Sequence, residues 1–323
     1  MIKHVIIVHL HELTLKGKNR SWFEEILIKN LKKHLVNLPY KKINMLFGRI
    51  VIDNIDKNLF ENYKESLSSV IGIRNFIFAI NTNLNIKNLK EESLNLFKNI
   101  TQETSFRVSA RRQNKNFKYN SQEINNIVGE HIQSKTGLKV NLTKPDIEVI
   151  IEIVNNTVFI GIVKIDTYGG LPVGTGESAL SLISSGIDSP VASFNILKRG
   201  VKLDYIHFHS SPATTKQSIY NVESLLKILC KYQIDCKLYL FPLLKIQNKI
   251  MDSIDSKYWV LLFRRAMVKI ANIVAINNNY KVLISGENIG QVASQTLSNI
   301  VAIQDASNIP IIRPLAGFNK EEI

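Results

Sequence analysis

Cysteine is scarce in this sequence: Cys230 and Cys236 are the two cysteines among 323 residues. Two cysteines are too few for a disulfide framework or a cysteine-ligated metal cluster. Cys230 lies on the apolar face of a predicted helix and Cys236 opens a strand-like run, so both are predicted to be structural residues. Neither is assigned a reactive role.

Long apolar runs are also missing. The most apolar stretches, at 148–154 and 271–276, are far shorter than the roughly 20 residues that span a bilayer. Near the N-terminus, His9, His11 and Glu12 interrupt the apolar patch before it reaches the length of a signal peptide. No membrane partner and no secretion signal are predicted, and a cytoplasmic location is expected.

Acidic residues are outnumbered by basic ones, and the net charge is +14. The excess is concentrated in residues 1–165, which hold 25 Lys and Arg against 15 Asp and Glu. A basic half of this kind favours a polyanionic partner such as nucleic acid, and a generally lysine-rich composition is the alternative explanation.

The hydrophobic patterns divide the chain into four parts, with no internal repeat. Residues 1–72 and 73–166 each mix strand-like and helix-like segments, and the glycine-rich segment 167–178 is a linker. From 179 to 323 strands and helices alternate. This alternation predicts an α/β fold with a doubly wound parallel sheet, preceded by two α+β domains.

Local signals place some element ends. Ser21 and Ser121 precede helical patterns and are predicted as caps, and Gly137 is predicted to end the second of these helices. Asn155 and Asn156 separate two β-rich runs and predict a hairpin turn.

The segment 179–190, ALSLISSGIDSP, carries the strongest chemical signal. A buried strand is followed by small polar residues and by Pro190, which suits a first helical turn. Ligands of open parallel sheets bind at this end of the strands, where Gly186 lets the backbone come close and loop amides can cradle a phosphate. Asp188 would repel an anion unless Mg²⁺ bridges the two, or unless its carboxylate caps the helix.

This loop is neither a Walker A loop, which needs a lysine after its glycine, nor a G-x-G-x-x-G turn. Residues 184–189, SSGIDS, resemble the PP-loop S-G-G-x-D-S of ATP pyrophosphatases, which cleave ATP between the α and β phosphates. Ser185 stands where the motif has its first glycine, and this change removes low-cost access to positive φ.

Other segments extend the resemblance over the whole chain: LTLKGKNRSWFE, RVSARRQNKNF, VNLTKPDIEV, GGLPVGTG, GIDSPVASFNILKRG, SGENIGQVASQTLSNI and IPIIRPLAGFNKEEI. In this order they resemble the tRNA 4-thiouridine synthetase (tRNA sulfurtransferase) family. The resemblance implies a ferredoxin-like domain at 1–72, a tRNA-binding THUMP domain at 73–166 and a PP-loop domain at 179–323. It also implies adenylation of O4 of the uridine at tRNA position 8 with release of pyrophosphate, followed by displacement of AMP by a persulfide sulfur.

The resemblance assigns Asp188 as the catalytic residue. The residues that it places at ATP are Leu182, Ile183, Ser184, Ser185, Gly186, Ser189, His207, Phe208, Arg264, Gly286 and Gln295. The chain pattern agrees, because several of them follow predicted strands whose ends meet at one edge of a parallel sheet. Glu287 is either a Mg²⁺ ligand or a surface residue, and no metal ligand is assigned.

A second set of residues is assigned to tRNA. Its members are basic, and several lie among the aromatic residues of segment 105–119: Lys16, Lys18, Arg20, Arg107, Arg111, Arg112, Lys115 and Lys118. Contacts of such residues with phosphates give affinity and positioning without reading the base sequence.

The expected small molecules and partners are ATP with Mg²⁺, tRNA, a persulfide sulfur donor such as a cysteine desulfurase, and a second copy of the chain in a homodimer. In the family the persulfide cysteine follows the segment NKEEI, at which this sequence ends. The PP-loop domain is therefore expected to be C-terminally short, and no carrier cysteine is assigned.

Two alternatives compete with this interpretation. A PP-loop synthetase that acts on a small molecule would have no use for a basic N-terminal half. A tRNA-binding protein with an inactive loop would explain Ser185, but Asp188 and the segments SGENIGQ and IIRPL argue against loss of activity.

The first prediction separates the two substrates. Replacing Asp188 by Ala should abolish ATP turnover while leaving tRNA affinity nearly unchanged, because different parts of the chain are assigned to the two. ATP turnover and tRNA binding, measured on the same preparation, check this. A strong loss of tRNA affinity in Asp188→Ala would contradict the assignment.

Overall fold

The computed structural model describes residues 3–15, 17–98, 100, 103–213, 215–290 and 295–323. Its strands are β1 (Lys3–Leu10), β2 (Lys42–Leu46), β3 (Arg49–Asp53), β4 (Ile73–Asn83), β5 (Ser105–Arg112), β6 (Lys139–Val140), β7 (Ile147–Val154), β8 (Thr157–Asp166), β9 (Ser178–Leu182), β10 (Lys202–His209), β11 (Leu238–Pro242), β12 (Leu283–Ile284) and β13 (Ile311–Ile312). Its α-helices are α1 (Arg20–His34), α2 (Phe60–Ser68), α3 (Ile86–Asn95), α4 (Ser121–Thr136), α5 (Asp188–Leu197), α6 (Gln217–Leu229), α7 (Leu244–Ser253), α8 (Trp259–Asn277) and α9 (Leu297–Gln304). Over these residues, every helix is too short or too polar to cross a membrane.

The described residues form two compact units. The first comprises residues up to Gly17 together with His34–Ser68 and Ile73–Gly169, and the second comprises Lys18–Lys33, Ser69–Gly72 and Gly170–Ile323. Strands β1 to β8 therefore belong to the first unit and β9 to β13 to the second. Helix α1 falls almost entirely within the second unit.

A single eight-stranded sheet forms the framework of the first unit, in the order β2-β3-β1-β4-β8-β7-β5-β6. Its two faces bury different cores. Ile160 of β8 packs with Phe106 and with Val128 of α4 on one face. The neighbouring residue Phe159 points to the opposite face, where it packs with Val5 of β1.

The sheet is strongly curled. Glu152 of β7 accepts a hydrogen bond from Arg49 Nε of β3, and its Oε1 lies 2.8 Å from His9 Nε2 of β1. Because β1, β4 and β8 lie between β3 and β7, a flat sheet would hold these two strands about 19 Å apart, too far for the two side chains to meet. Curling therefore brings β3 and β7 together across one face, and the Glu152 side chain is only 3% exposed there.

The charged partners of Glu152 set its ionisation. Burial acts to raise its pKa, but the hydrogen bond and charge of His9 and the charge of Arg49 outweigh burial, so the pKa lies below its usual value. His9 is oriented by Asn75 of β4, whose Oδ1 lies 2.7 Å from His9 Nδ1. The cluster therefore links four strands through one carboxylate.

The ends of α4 follow local chemistry, although the predicted cap is displaced by one residue. Asn120 caps the helix, because its Oδ1 accepts from the Glu123 amide at 2.9 Å while Glu123 Oε2 accepts from the Asn120 amide at 2.6 Å. Ser121 is then the first helical residue and not the cap. Gly137 ends the helix in the left-handed conformation, with φ 73°, as predicted.

Two more local predictions have different outcomes. The hairpin turn between β7 and β8 is confirmed, with Asn155 at φ 52°. Ser21 is not a cap, because α1 begins at Arg20 and Ser21 lies inside it.

The second unit contains the predicted parallel sheet, in the order β11-β10-β9-β12-β13. Each pairing in it is parallel. Ala192 of α5 and Val222 of α6 belong to the core on one face, and Val268 of α8 and Ile303 of α9 belong to the core on the other. The doubly wound architecture predicted from 179 onward is confirmed.

The two cysteines, which their spacing alone does not pair, form a disulfide whose Cα atoms lie 6.3 Å apart. The chain reverses between them at Ile234, which has φ 78°, and the Ile234 amide donates to the Cys230 carbonyl at 2.6 Å. This reversal brings the end of the helical segment back to the residues that precede β11.

The second prediction concerns acid stability. Replacing Glu152 by Gln should lower the free energy of unfolding by roughly 3 kcal/mol at neutral pH, because Arg49 loses its buried counter-charge. Since the folded-state pKa of Glu152 is lowered, its contribution is present above the unfolded-state pKa and is lost as the pH falls through the folded-state pKa. The difference between wild type and variant should therefore shrink towards acid.

Urea unfolding from neutral pH down to about pH 3 measures this difference. Glu130→Gln, at an exposed position of α4, is the matched control and should change little. A Glu152→Gln penalty that is constant with pH would contradict the assigned role of the carboxylate.

Candidate active site

The candidate site lies where the strand order of the second unit reverses direction. From β9 the chain moves to β10 on one side, whereas β12 pairs with β9 on the other. Connections leave the carboxyl ends of β9 and β12 towards opposite sides, which opens a crevice between them. A cavity of ≈ 260 Å³ occupies this position, and it is lined by Leu182, Ser184, Asp188, Ser189, Arg264, Met267, Val268, Ser285, Gly286, Glu287, Gln295 and Ile311.

The loop after β9 is held closed by its own hydroxyls. The Ser184 amide donates to Ser189 Oγ at 2.8 Å, and the two Oγ atoms lie 3.0 Å apart. Below the loop, Ser193 of α5 donates to the Ser189 carbonyl and lies 2.8 Å from Ser181 Oγ of β9. The small polar residues of this segment therefore join the end of the strand to the first turns of α5.

Ser185 does not strain the loop. Neither Ser185 nor Gly186 is among the residues with positive φ, so the backbone here is one that serine adopts freely. A Cβ added to Gly186 would have the Ser184 Oγ, at 3.7 Å, as its nearest neighbour. The replacement of glycine at 185 is therefore compatible with a properly formed loop.

Residue 286 must be glycine because the backbone of Ser189 lies against it, and not because of its own φ. A Cβ at this position would lie 2.7 Å from both the amide nitrogen and the Cα of Ser189. Real Cβ atoms do not come so close to backbone, so the segment after β12 can reach the start of α5 only because residue 286 has no side chain.

Asp188 does not cap α5. The helix has no side-chain cap hydrogen bond at its start, and the Asp188 carboxylate instead pairs with Lys320 Nζ, at 2.8 Å and 3.2 Å. The capping alternative for Asp188 is therefore wrong. Lys320 was not assigned from the sequence, although the segment NKEEI that contains it contributed to the resemblance.

Glu287 joins two arginines from different elements. Its Oε1 accepts from Arg264 Nη1 of α8 at 3.2 Å, and its Oε2 accepts from Arg313 Nε, just after β13, at 2.8 Å. The neighbouring Arg265 points elsewhere and donates to the Ala302 carbonyl. Of the two arginines, Arg264 is therefore the one that faces the cavity.

The residues assigned to ATP fall into two groups. Seven of them, counting Asp188, line one cavity: Leu182, Ser184, Asp188, Ser189, Arg264, Gly286 and Gln295. The others do not line it: Ile183, Ser185, Gly186, His207 and Phe208. Ile183 is a buried core residue, whereas Ser185 and Gly186 are exposed on the loop.

His207 supports the site from β10. Its Nδ1 lies 2.9 Å from the Ile183 carbonyl, and the side chain is 4% exposed. Burial lowers the pKa of His207 more than the hydrogen bond to Ile183 raises it, so its pKa lies below the usual value. Phe208 packs into the core on the α8 face, where its ring centroid lies 5.8 Å from that of Phe241.

Both carboxylates at the cavity are paired with cations. Glu287 has a guanidinium on each oxygen and Asp188 pairs with Lys320. Among the described residues no group of three or more His, Cys, Asp or Glu side chains could hold a metal ion. Both oxygens of Glu287 are thus paired with arginine, and its role as a Mg²⁺ ligand stays a prediction; Mg²⁺ commonly arrives with substrate phosphates.

A larger cavity of ≈ 630 Å³ lies at the opposite end of the same sheet, near the amino ends of β9 and β10. Several of its charged side chains are already paired, with Lys202 Nζ 3.1 Å from Asp235 and Asp204 accepting from Tyr280 at 2.6 Å. We therefore place the chemistry in the smaller cavity at the carboxyl ends.

Known proteins are similar to this chain over almost its whole length. Family models match consecutive parts of the chain: the ThiI ferredoxin-like domain at residues 5–76, the THUMP domain at 84–163, and "Thiamine biosynthesis protein (ThiI)" at 174–323. The chain is 38% identical over 321 residues to a probable tRNA sulfurtransferase of Brevibacillus brevis, covering 99% of this chain and 80% of that protein. It is 37% identical to the corresponding protein of Natranaerobius thermophilus, covering 98% and 80%.

The chain belongs to the tRNA sulfurtransferase family. A solved structure of a 4-thiouridine synthetase in complex with RNA and bound ATP is similar to it, with a TM-score of 0.87 and 35% identity over 99% of this chain and 82% of that one. The family resemblance inferred from the sequence motifs is thereby confirmed, as is the fold class of ferredoxin-like, THUMP and PP-loop domains.

Within this family member, the residues assigned to tRNA differ in what they contact. Arg107 of β5 pairs with Glu148 at 2.9 Å, Arg20 pairs with Glu24 at 2.6 Å, and Arg112 donates to the Phe117 carbonyl at 2.9 Å. Lys118 Nζ lies 5.3 Å from the centre of the Tyr119 ring. Lys16 lies outside the described residues.

The remaining three tRNA candidates are exposed: Lys18, Arg111 and Lys115. Within the described parts of the chain, their charged groups have no hydrogen-bond or ion-pair partner. Alternation along β5 places Arg111 on the face opposite Phe106 and Ala110, which belong to the core under α4. Arg111 and Lys115 are therefore available for a ligand, whereas Arg112 stabilises its own loop.

The third prediction concerns Gly286. Gly286→Ala should displace the start of α5, lower the free energy of unfolding by about 1–3 kcal/mol and weaken ATP binding, because the methyl group meets backbone that cannot move aside freely. Thermal unfolding and ATP titration measure the two effects.

Gly129→Ala is the control for Gly286→Ala, since the nearest neighbour of its added Cβ would be Val108 at 3.9 Å, an ordinary contact in a helix. It should leave ATP binding unchanged. Unimpaired ATP binding in Gly286→Ala would remove the argument that this approach shapes the cavity.

Proposed function

We propose that this protein is an ATP-dependent tRNA sulfurtransferase that adenylates O4 of the uridine at tRNA position 8 and prepares it for replacement by sulfur, giving 4-thiouridine. The observation that carries the proposal is the cavity at the reversal of strand order, where the closed PP-loop, Asp188 and Arg264 come together. Membership of the tRNA sulfurtransferase family and the similarity to a 4-thiouridine synthetase with RNA and ATP support it.

In the proposed reaction, O4 of the uracil attacks the α phosphorus of ATP. The bond to the β phosphate breaks, pyrophosphate leaves with the electron pair of that bond and the accompanying negative charge, and the N3 proton of the uracil is lost to solvent. Arg264 and the amides at the start of α5 are placed to receive that charge. Mg²⁺, bound to the triphosphate as part of the substrate, would supply further charge neutralisation.

Asp188 and Lys320 act together in this proposal. The ion pair draws the carboxylate away from the helix amides, so that they remain open to a phosphate. When Mg²⁺-ATP enters, the carboxylate can turn to the cation and Lys320 to a phosphate oxygen, which resolves the repulsion between Asp188 and an anion. Leu182, Gly286 and Gln295 then line the remainder of the nucleotide pocket.

The sulfur is proposed to come from a persulfide donor such as a cysteine desulfurase. The donor, and not Cys230 or Cys236, is thus proposed to deliver the sulfur. The disulfide between these two cysteines supports this proposal, since Cys236 lines the cavity at the amino ends of the strands and not the one near Asp188. Attack of the outer persulfide sulfur on C4 would displace AMP and leave the base joined to the donor cysteine through a disulfide. A second thiol of the donor would then attack the sulfur of that cysteine, form a disulfide with it and release the base as 4-thiouridine.

We further propose that the enzyme works in the cytoplasm as a homodimer. Exposed apolar side chains on α7, α8 and the turn between them support a second copy of the chain as the partner: Met251, Ile254, Tyr258 and Val260. Sedimentation equilibrium measures the mass in solution, and a monomer at micromolar concentration would contradict the homodimer.

The proposed function is tested with unmodified tRNA and ATP labelled at the α phosphate. We expect release of AMP and pyrophosphate only when tRNA is present. Release without tRNA would favour a synthetase with a small substrate. Binding of tRNA without any ATP turnover would favour the tRNA-binding protein with an inactive loop.

The fourth prediction concerns the tRNA surface. Replacing Arg111 and Lys115 by Ala should weaken tRNA binding and reduce the slope of log K against log salt by about 1 for each tRNA phosphate that the variant no longer binds. Titrations at several salt concentrations measure this slope. Lys227→Ala, exposed on α6, is the control, and an unchanged slope in the double variant would exclude this stretch from the interface.

A further inference from the structure

The nucleotide cavity contains an acidic residue whose role follows from its partners. Glu287 is the third residue after β12, and its side chain is 15% exposed. Its two carboxylate oxygens are divided between Arg264 of α8 and Arg313 after β13. One carboxylate therefore connects three separate segments at the edge where the nucleotide is proposed to bind.

The two arginines are held very differently. Arg313 is a fixed support: its side chain is 11% exposed, and its Nη1 also donates to the Ile311 carbonyl at 3.2 Å. Arg264 is 26% exposed, and among the described residues the Glu287 carboxylate is its single hydrogen-bond partner. Within the described parts of the chain, most of the N–H groups of Arg264 are therefore unpaired, and Glu287 is the one residue that holds the direction of its guanidinium.

The charges of this cluster suit an anion. Two guanidinium groups and one carboxylate leave one positive charge in excess, and the carboxylate offsets part of the cost of burying Arg313. A guanidinium held from one side by a carboxylate presents its other edge in a fixed plane, which is the geometry in which arginine binds a phosphate through two hydrogen bonds.

We propose that Glu287 is a positioning residue for Arg264: it holds the guanidinium in the orientation that receives the phosphates of ATP, and Arg313 fixes Glu287 in turn. This inference rests on the proposed function only in taking ATP as the ligand of the cavity. It assigns to Glu287 neither a metal nor a proton, because both of its oxygens are already occupied by arginine.

The test is a double-mutant cycle on ATP binding, measured by titration of the full chain with Mg²⁺-ATP. Glu287→Gln should raise the Kd for ATP about tenfold or more, the size expected when a charge-assisted hydrogen bond that orients a ligand group is lost. In an Arg264→Ala background, Glu287→Gln should have little further effect on ATP affinity, because the group that it positions is gone. Independent, additive effects of the two substitutions would overturn the proposal.

Two further measurements separate positioning from folding and from metal binding. Glu287→Asp, which keeps the charge on a shorter side chain, should recover part of the ATP affinity if orientation of Arg264 is the cause. The Mg²⁺ concentration for half-maximal activity at saturating ATP should be unchanged in Glu287→Gln, and a large increase would identify a metal ligand and overturn the proposal. Glu223→Gln, exposed on α6, controls for loss of one negative charge and should bind ATP like wild type.

The outcomes also separate this inference from the proposed function. If the wild type binds ATP but shows no tRNA-dependent turnover, the proposed function fails, whereas the double-mutant cycle on binding still decides the role of Glu287. If turnover depends on tRNA but Glu287→Gln binds ATP normally, the inference fails and the proposed function stands. A wild-type chain that binds no ATP would overturn both.

Discussion

The backbone contact between the segment after β12 and the first turn of α5 constrains the whole candidate site. With 2.7 Å between the position of a Cβ on Gly286 and the Ser189 backbone, the two connections meet with no side chain between them. The PP-loop closes through Ser184 and Ser189. Glu287, which follows Gly286 in the chain, comes within reach of Arg264. A methyl group on residue 286 would push the two segments apart, and the PP-loop and Arg264 would then no longer face one shared cavity.

The electrostatics of the site follow from this arrangement. Two cations of the site are each paired with a carboxylate, Lys320 with Asp188 and Arg264 with Glu287. Such pairs prevent the positive groups from repelling one another in the free protein. They also reduce the reorganisation that is needed when an anion binds, which is the physical basis of preorganised electrostatic stabilisation.

Sequence patterns predicted much of this site because they are local. The alternation of strands and helices from 179 predicts the parallel sheet, and a short run of small residues after a buried strand identifies the PP-loop. The pairs that complete the site are not local: Asp188 and Lys320 are 132 residues apart, and Glu287 meets Arg264 and Arg313 only after three elements pack. Serine fits at position 185 because the backbone φ there is not positive, and residue composition does not reveal this angle.

The misses in secondary structure have similar causes. Strand β2 has little signal in the sequence, because its residues KINML follow polar, turn-like sequence and are partly exposed. Helix α9 is capped by Thr296, whose hydroxyl accepts from the Asn299 amide at 3.3 Å. In α4 the choice between Asn120 and Ser121 as cap required the reciprocal bond to Glu123, which becomes visible only in three dimensions.

The continuous sheet of the first unit has a consequence for how the protein is divided. Family models place the boundary between the ferredoxin-like and THUMP regions at residues 76–84, but β4 (Ile73–Asn83) runs through this boundary and pairs with β1 on one side and β8 on the other. Cutting the chain there would expose two long unpaired strand edges, which are templates for aggregation, and would separate Glu152 from Arg49 and His9. The two named domains should therefore behave as one cooperative folding unit, whose limits are determined by strand pairing and not by sequence homology.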